Sequence, residues 1–367
     1  MQAVRLVVSA AVATICGWAA ARLGLPLAWL IGAALASTAI SLSTGTLSVP
    51  RGLYRTGQIV VGVSVGLTVT AAVFERIGPH MALVPLLAGI SILLGRLMVP
   101  LLVRASGLDR RTAYFSLVPA GISEMADLAQ TKGADSGAVA TLHAARVFIV
   151  VLILPFIIYR IGDPAFDAAR APGAWDGAFA LALATGLLCG IVGNRLGLPS
   201  AFVVGPMIGV ATLSASGVLA AREPAALLAG AQVLLGLSLG TRFRRETVGR
   251  LPRALIAGSV VLILNGVIMA IVGLALAAAL DLDPALMLLA SATGGTAEMV
   301  LTAQVVAADA ALVAVYQVAR GLGGNLLALP IYALTMRRVR ADPSIAAARA
   351  GGGNGGAKRH DRRTRNE

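Results

Sequence analysis

Two carboxylates stand inside apolar sequence, Glu124 and Glu298, each in the setting Gly-x-x-Glu-Met over residues 121–125 and 295–299. A carboxylate at membrane depth costs several kcal/mol unless it is paired, protonated or hydrated. That chemistry suits a proton carrier or a ligand for a cation. A helix-end cap or a fold-fixing ion pair is the alternative. Gly121, Gly294 and Gly295 beside them would leave backbone groups free to meet a solute. Arg146 and Arg320 follow each glutamate inside the next apolar stretch. A guanidinium keeps its charge in proteins, so each needs a partner. Glu124 and Glu298 are the expected ones, in salt bridges that hold an interrupted helix. Contact with an anionic solute is the second reading.

Around this set lie further polar residues. Asp135 and Asp309 immediately precede apolar helical runs, where an N-cap is the ordinary role. Asp127 has no counterpart, because Leu301 stands at the matching place. His143 matches Gln317, one turn before each arginine, and suits a hydrogen-bonded core residue or a proton relay. Gln58 and Gln232 each begin a run of small residues. Close helix packing is the default meaning of such runs, and lining a cavity is the alternative. Cys16 and Cys189 lie next to glycines in apolar stretches and read as packing residues, with no disulfide framework and no zinc site.

These matches are one repeat. The second half of the chain restates the first at an offset of 173 to 175 residues. The RLGLP of residues 22–26 returns at 195–199, and Gln58, Gly62, Ser64 and Gly66 return as Gln232, Gly236, Ser238 and Gly240. A repeated hydrophobic half with a repeated buried carboxylate is a common build for secondary transporters.

Composition fixes the setting. Hydrophobic residues make up 57% and charged residues 13%, against about 25% charged in soluble domains. The predicted class is an all-α polytopic membrane protein. Net charge is +13, of which residues 337–367 hold nine Lys/Arg against three Asp/Glu. The glycine-rich segment 341–367 reads as a disordered, basic cytoplasmic tail that meets anionic lipid. It lacks any helix-turn-helix or zinc-finger spacing, so direct nucleic-acid binding is not expected.

Apolar segments are expected at 4–22, 26–43, 56–74, 81–103, 112–131 and 136–159, and again at 177–194, 199–217, 225–241, 254–280, 284–305 and 310–336. Six crossings per half would make the repeats parallel, but loop charge disagrees. In the first half the arginines follow the fourth segment, at Arg104, Arg110 and Arg111. In the second they follow the third, at Arg242, Arg244, Arg245, Arg250 and Arg253. Under the positive-inside rule, equivalent loops then face opposite sides. The repeats are inverted, and one segment per half must fail to cross. The fifth is the candidate, since it carries Pro119, Gly121 and Glu124 in one copy and Pro284, Gly294, Gly295 and Glu298 in the other. The expectation is about ten crossings with two interrupted or re-entrant helices. The first repeat covers 1–159, a periplasmic linker 160–176, the second repeat 177–340 and the tail 341–367. Both termini are cytoplasmic in a bacterial inner membrane.

The repeated G-x-x-E-M with a downstream Ala-Arg, at Ala145-Arg146 and Ala319-Arg320, resembles the AbrB family of internally duplicated bacterial membrane proteins. The resemblance covers residues 1 to about 340. Family labels include an ammonia monooxygenase and a regulator of gene expression. More distantly, RLGLP before a glycine-containing apolar helix is similar to cation/proton antiporters and bile-acid-symporter-like folds. A copper or iron oxygenase needs several histidine or carboxylate ligands in one place. The chain has three histidines, His80, His143 and His360, with no paired spacing, so no enzymatic activity, cofactor or metal is expected.

The residues therefore predict a secondary transporter of a small solute. Glu124 and Glu298 would bind the coupling proton or cation. A membrane sensor that binds a solute and affects gene expression without transport is the runner-up. A passive channel lacks the expected filter rings. A second copy of the chain is a candidate partner.

Overall fold

In a computed structural model, residues 2–44, 47–69, 80, 82–161, 173–306 and 309–340 are described. Most of the expected linker, the expected tail 341–367 and the loop residues 75–79 lie outside them. Every regular element among the described residues is a helix. The chain divides into a large unit, Met1–Asn325, and a small one, Leu326–Glu367, whose described part is helical up to Arg340.

The first half forms α1 (Gln2–Arg22), α2 (Ala28–Thr44), α3 (Arg51–Thr68), α4 (Leu83–Ser106), α5 (Arg110–Leu117), α6 (Ile122–Thr131) and α7 (Ser136–Ile161). The second forms α8 (Gly177–Arg195), α9 (Ala201–Ala215), α10 (Ala225–Gly240), α11 (Arg245–Arg250), α12 (Pro252–Leu280), α13 (Pro284–Ser291), α14 (Thr296–Val305) and α15 (Ala310–Arg340). Seven of these stretches are long and apolar enough to cross a membrane by length and composition, and α2 and α9 are shorter apolar helices. Large apolar side chains are exposed along α12 at Ile256, Val260, Ile263, Val267 and Ile271. Their three- and four-residue spacing is one continuous helix face, a lipid-facing pattern.

The fifth segment of each half is broken as its glycines and carboxylate suggest, over 118–121 and 292–295. Pro284 is not part of the break. It begins α13 at N1, where proline fits because its missing N–H would have no intrahelical partner anyway, and Asp283 caps it through the Ala285 N–H. The RLGLP copies make the expected tight turns, with Gly24 at φ 67° and Gly197 at φ 73°. The third residue beyond each glycine, Leu27 and Ser200, is also left-handed.

Packing crosses between the halves. α3 lies on α9 and α10 lies on α2. A Cβ at Gly62 would stand 2.3 Å from the Val203 carbonyl oxygen, and one at Gly236 would stand 2.4 Å from that of Leu30. Leu30 and Val203 are repeat-related, as are the two glycines. The cysteines fall at the other helix contacts: Gly32 meets the Cys16 carbonyl at 2.5 Å and Gly205 that of Cys189 at 2.4 Å, on the same measure. Both thiols are half-buried. Small residues thus let backbones approach, the usual adhesive between helices in lipid.

The basic segments of the two halves meet on one face. Arg253 Nε donates to the Ala105 carbonyl at 3.2 Å, and Arg250 pairs with Asp135 at 2.6 Å. On the repeat-related side, His80 Nδ1 meets the Tyr316 hydroxyl at 2.8 Å. Burial holds the His80 imidazole below its ordinary range, and nearby Asp309 pulls it back up.

Replacing Gly236 with leucine should separate α10 from α2 and lower stability by roughly 1–3 kcal/mol, the usual cost of overpacking. The same change at Gly230, which has open space, should cost much less. Thermal unfolding of the purified protein compares the two.

Candidate functional site

A helix broken inside an apolar core ends with carbonyls and begins again with N–H groups that no intrahelical partner meets. In the first half the carbonyls belong to α5. His143 Nε2 donates to the Phe115 carbonyl at 2.8 Å, and Arg146 Nη1 to that of Val118 at 3.4 Å. His143 Nδ1 accepts from Arg146 Nη2 at 3.1 Å, which fixes the ring as the neutral Nε2–H tautomer. In the second half Gln317 Nε2 donates to the carbonyls of Leu289 at 2.6 Å and Ala292 at 3.0 Å. Arg320 Nη2 donates to Gly294 at 2.8 Å and to Gln317 Oε1. Histidine in one copy and glutamine in the other do the same work.

This corrects the expected pairing. Neither arginine forms an ion pair with Glu124 or Glu298 among the described residues. Arg146 bonds backbone at the C-terminal end of the entering half-helix, where a positive charge also complements the helix dipole, and Arg320 bonds Gly294 within the break. Such charge-assisted bonds are worth about 1.5–3 kcal/mol each. Arg146 is 4% and Arg320 6% exposed.

The glutamates stand at the third position of the half-helices that leave each break, with Gly121 and Gly295 as N-caps. Both carboxylates fold back over their own glycine. A Cβ at Gly121 would stand 2.0 Å from Glu124 Oε2, and one at Gly295 2.1 Å from Glu298 Oε2. The glycines have ordinary negative φ, −62° and −80°. A side chain at either glycine would have to displace the carboxylate from its place over the helix start.

Both breaks open onto one cavity of about 220 Å³. Gly121, Glu124 and Arg146 line it from the first half, and Gly294, Gly295, Glu298, Gln317 and Arg320 from the second. Gln58 of α3 also lines it, while Gln232 is buried away from it with its carbonyl oxygen unpartnered. Asp135 and Asp309 cap α7 and α15 through the N–H groups of Ala138 and Leu312. Asp127 is exposed on α6 and outside the cavity. Sequence reasoning missed Arg242, Tyr54 and Ser200, which complete the wall. Arg242 lies over the Tyr54 ring at 5.6 Å, and Ser200 Oγ bonds Thr296 at the start of α14 at 3.2 Å. The left-handed Ser200, matched by Leu27, was a signal only once the turn was built. Among the described residues no three His, Cys, Asp or Glu side chains gather as metal ligands.

The halves differ in exposure. Glu298 is 3% exposed, and residues 297–304 of α14 are all buried. Gln304 Nε2 donates across to Ser64 Oγ of α3 at 2.9 Å. Glu124, Asp127 and Gln130 of α6 are exposed, and Gln130 has no matching bond to Ser238. The two ends of the α5–α6 hairpin come together, because the Asp135 N–H donates to Thr112 Oγ1 at 3.0 Å and Arg111 Nη1 to the Lys132 carbonyl at 3.0 Å. The exposed half-helix therefore returns to the face that carries the basic segments.

Known proteins add one line of comparison. The family described as "Transition state regulatory protein AbrB" matches residues 29–335. A Bacillus subtilis (strain 168) protein named "Uncharacterized protein YhjN" is 27% identical over 348 residues, covering 85% of this chain and 88% of its own length. An Escherichia coli (strain K12) protein named "Putative regulator AbrB" is 27% identical over 236 residues, covering 63% of this chain and 68% of its own.

His143→Gln should stay within about 1 kcal/mol of wild type, because glutamine already serves at the related place. His143→Leu should cost about 1–3 kcal/mol by removing the buried donor to the Phe115 carbonyl and the acceptor for Arg146. Equilibrium unfolding of the two variants separates them.

Proposed function

The chain belongs to the AbrB family, and from that premise we propose that it is a secondary transporter of a small solute, coupled to protons or a cation, that works by alternating access. Ten crossings serve it: the seven long stretches, the shorter α2 and α9, and α3. The α5–α6 and α13–α14 pairs enter and return. The halves are inverted repeats in a bacterial inner membrane, with both termini cytoplasmic and lipid around the apolar faces. Anionic lipid meets the basic tail. No enzymatic step is assigned.

The observation that carries this reading is the single cavity shared by two related breaks whose departing half-helices differ in exposure. α14 is packed shut against α3, while α6 is open. In an inverted pair, that difference is a cavity open to one side only. Exchange of the two arrangements would open the other side. The open side carries the basic segments, so the state is inward-facing by the positive-inside rule.

A second reading draws on the relatives' names: a membrane-embedded solute sensor that affects gene expression without transport. Removing residues 341–367 should spare flux in a transporter and abolish the regulatory effect in a sensor.

In proteoliposomes loaded with a pH dye, a panel of small metabolites should include one that drives proton movement. Glu124→Gln and Glu298→Gln should each cut that signal about tenfold or more, the scale of losing an ionisable group at the coupling site. Unchanged signals in both folded variants would remove the carboxylates from the mechanism.

A further inference from the structure

The cavity's charge does not suit a cation. Arg146, Arg242 and Arg320 face only Glu124 and Glu298, an excess of one positive charge with both carboxylates ionised and of three with both protonated. Two ten-residue half-helices also begin there, at Gly121 and Gly295, and helix N-termini favour anions. The arginines are not fully used by the fold. Arg320 keeps Nε and Nη1 without a partner, and Arg146 keeps Nε, although both side chains are more than nine-tenths buried. Unpaired buried donors of this kind are costly and mark a place where an acceptor belongs.

The glutamates already show what that acceptor resembles. Each carboxylate is turned back onto the helix N-terminus that bears it, the position an anionic oxygen from solution would take. We propose that the cavity binds a small solute bearing a carboxylate or similar oxyanion, at the start of α14 between Arg320, Arg146 and Arg242, with Glu298 as its tethered competitor. This deepens the transporter reading and rests on it only for movement of the solute, not for binding. The volume of about 220 Å³ falls below the roughly 300–1,000 Å³ of sites for drug-sized ligands, so a metabolite of few atoms fits.

The coupling follows from charge. The titratable and charged groups lining the cavity with Glu298 are Tyr54 from α3, Arg242 beyond α10, Glu124 from α6, Arg146 from α7 and Arg320 from α15. A proton on Glu298 removes the negative charge nearest the α14 N-terminus and leaves three guanidinium groups facing the solute. Proton and anion therefore favour each other's binding, and by linkage the effect is reciprocal. Such a pair moves together, as in symport. Arg242 has no repeat-related arginine, since Thr68 stands at its place, so the second half provides the stronger site.

The test uses the full-length protein in detergent, with acetate, succinate, citrate and phosphate as oxyanion probes and putrescine and glucose as controls, at about pH 5.5 and about pH 7.5. At least one oxyanion should raise the unfolding temperature, binding about tenfold more tightly at the lower pH. The carboxylate and phosphate arms tell which oxyanion it is. Arg242→Gln should weaken binding about tenfold, the worth of roughly one charge-assisted bond. Glu298→Gln should bind about as well at both pH values. Response to putrescine or glucose alone, no response to any probe, or oxyanion binding unaltered by both substitutions would overturn the proposal. Counterflow in proteoliposomes separates the two readings. Binding without flux removes transport and keeps the anion site, whereas flux of glucose or putrescine keeps transport and removes it.

Discussion

A helix that stops inside an apolar core must find partners for its free backbone groups, and this chain must do so twice. The carbonyls at the ends of α5 and α13 have no water to turn to. His143 with Arg146, and Gln317 with Arg320, supply the donors from the next helix of the same half. These bonds explain why two arginines are tolerated among residues such as Val147, Tyr316 and Val313. They also fix the breaks firmly enough for a cavity to persist between them. The rest of the molecule holds the frame. α2 and α10, and α3 and α9, bring backbones together through glycines that admit no side chain.

Meeting the carbonyls creates a second problem. Guanidinium groups sit beside the N-termini of the departing half-helices, so positive charge concentrates at both breaks. Glu124 and Glu298 offset it by folding over Gly121 and Gly295. Structural and functional demands thus meet in the same side chains. A carboxylate that lies over a helix start is also the group best placed, in the proposed transporter, to yield that position to an anionic solute.

Much of this was legible in the residues themselves. Pro119, Gly121 and Glu124 in one copy, and Gly294, Gly295 and Glu298 in the other, marked where the fifth segments break, because glycine and a charge together disfavour a continuous apolar helix. Asp135 and Asp309 were legible as caps from their place before apolar runs. The arginine partners were not, since which carbonyls lack donors depends on how helix ends approach in space. Nor could Pro284 be told from a breaker until its position as the first residue of α13 was known. Arg242 entered the cavity from a segment whose charge reads simply as topology. The unequal burial of Glu124 and Glu298 was legible only in part: their G-x-x-E-M settings match, but Asp127 and Lys132 in the first copy stand where the second has Leu301 and Val306.

The proposed inversion of the halves around one cavity can be read by side-specific labelling. Ala105 and Ala279 are repeat-related and exposed, at the ends of α4 and α12. With Cys16 and Cys189 replaced by serine, single cysteines at these two positions would be treated with an impermeant maleimide in right-side-out and inside-out vesicles. With inverted halves, Ala105→Cys is labelled from the cytoplasmic face and Ala279→Cys from the opposite one. Labelling of both from the same face would contradict the inversion.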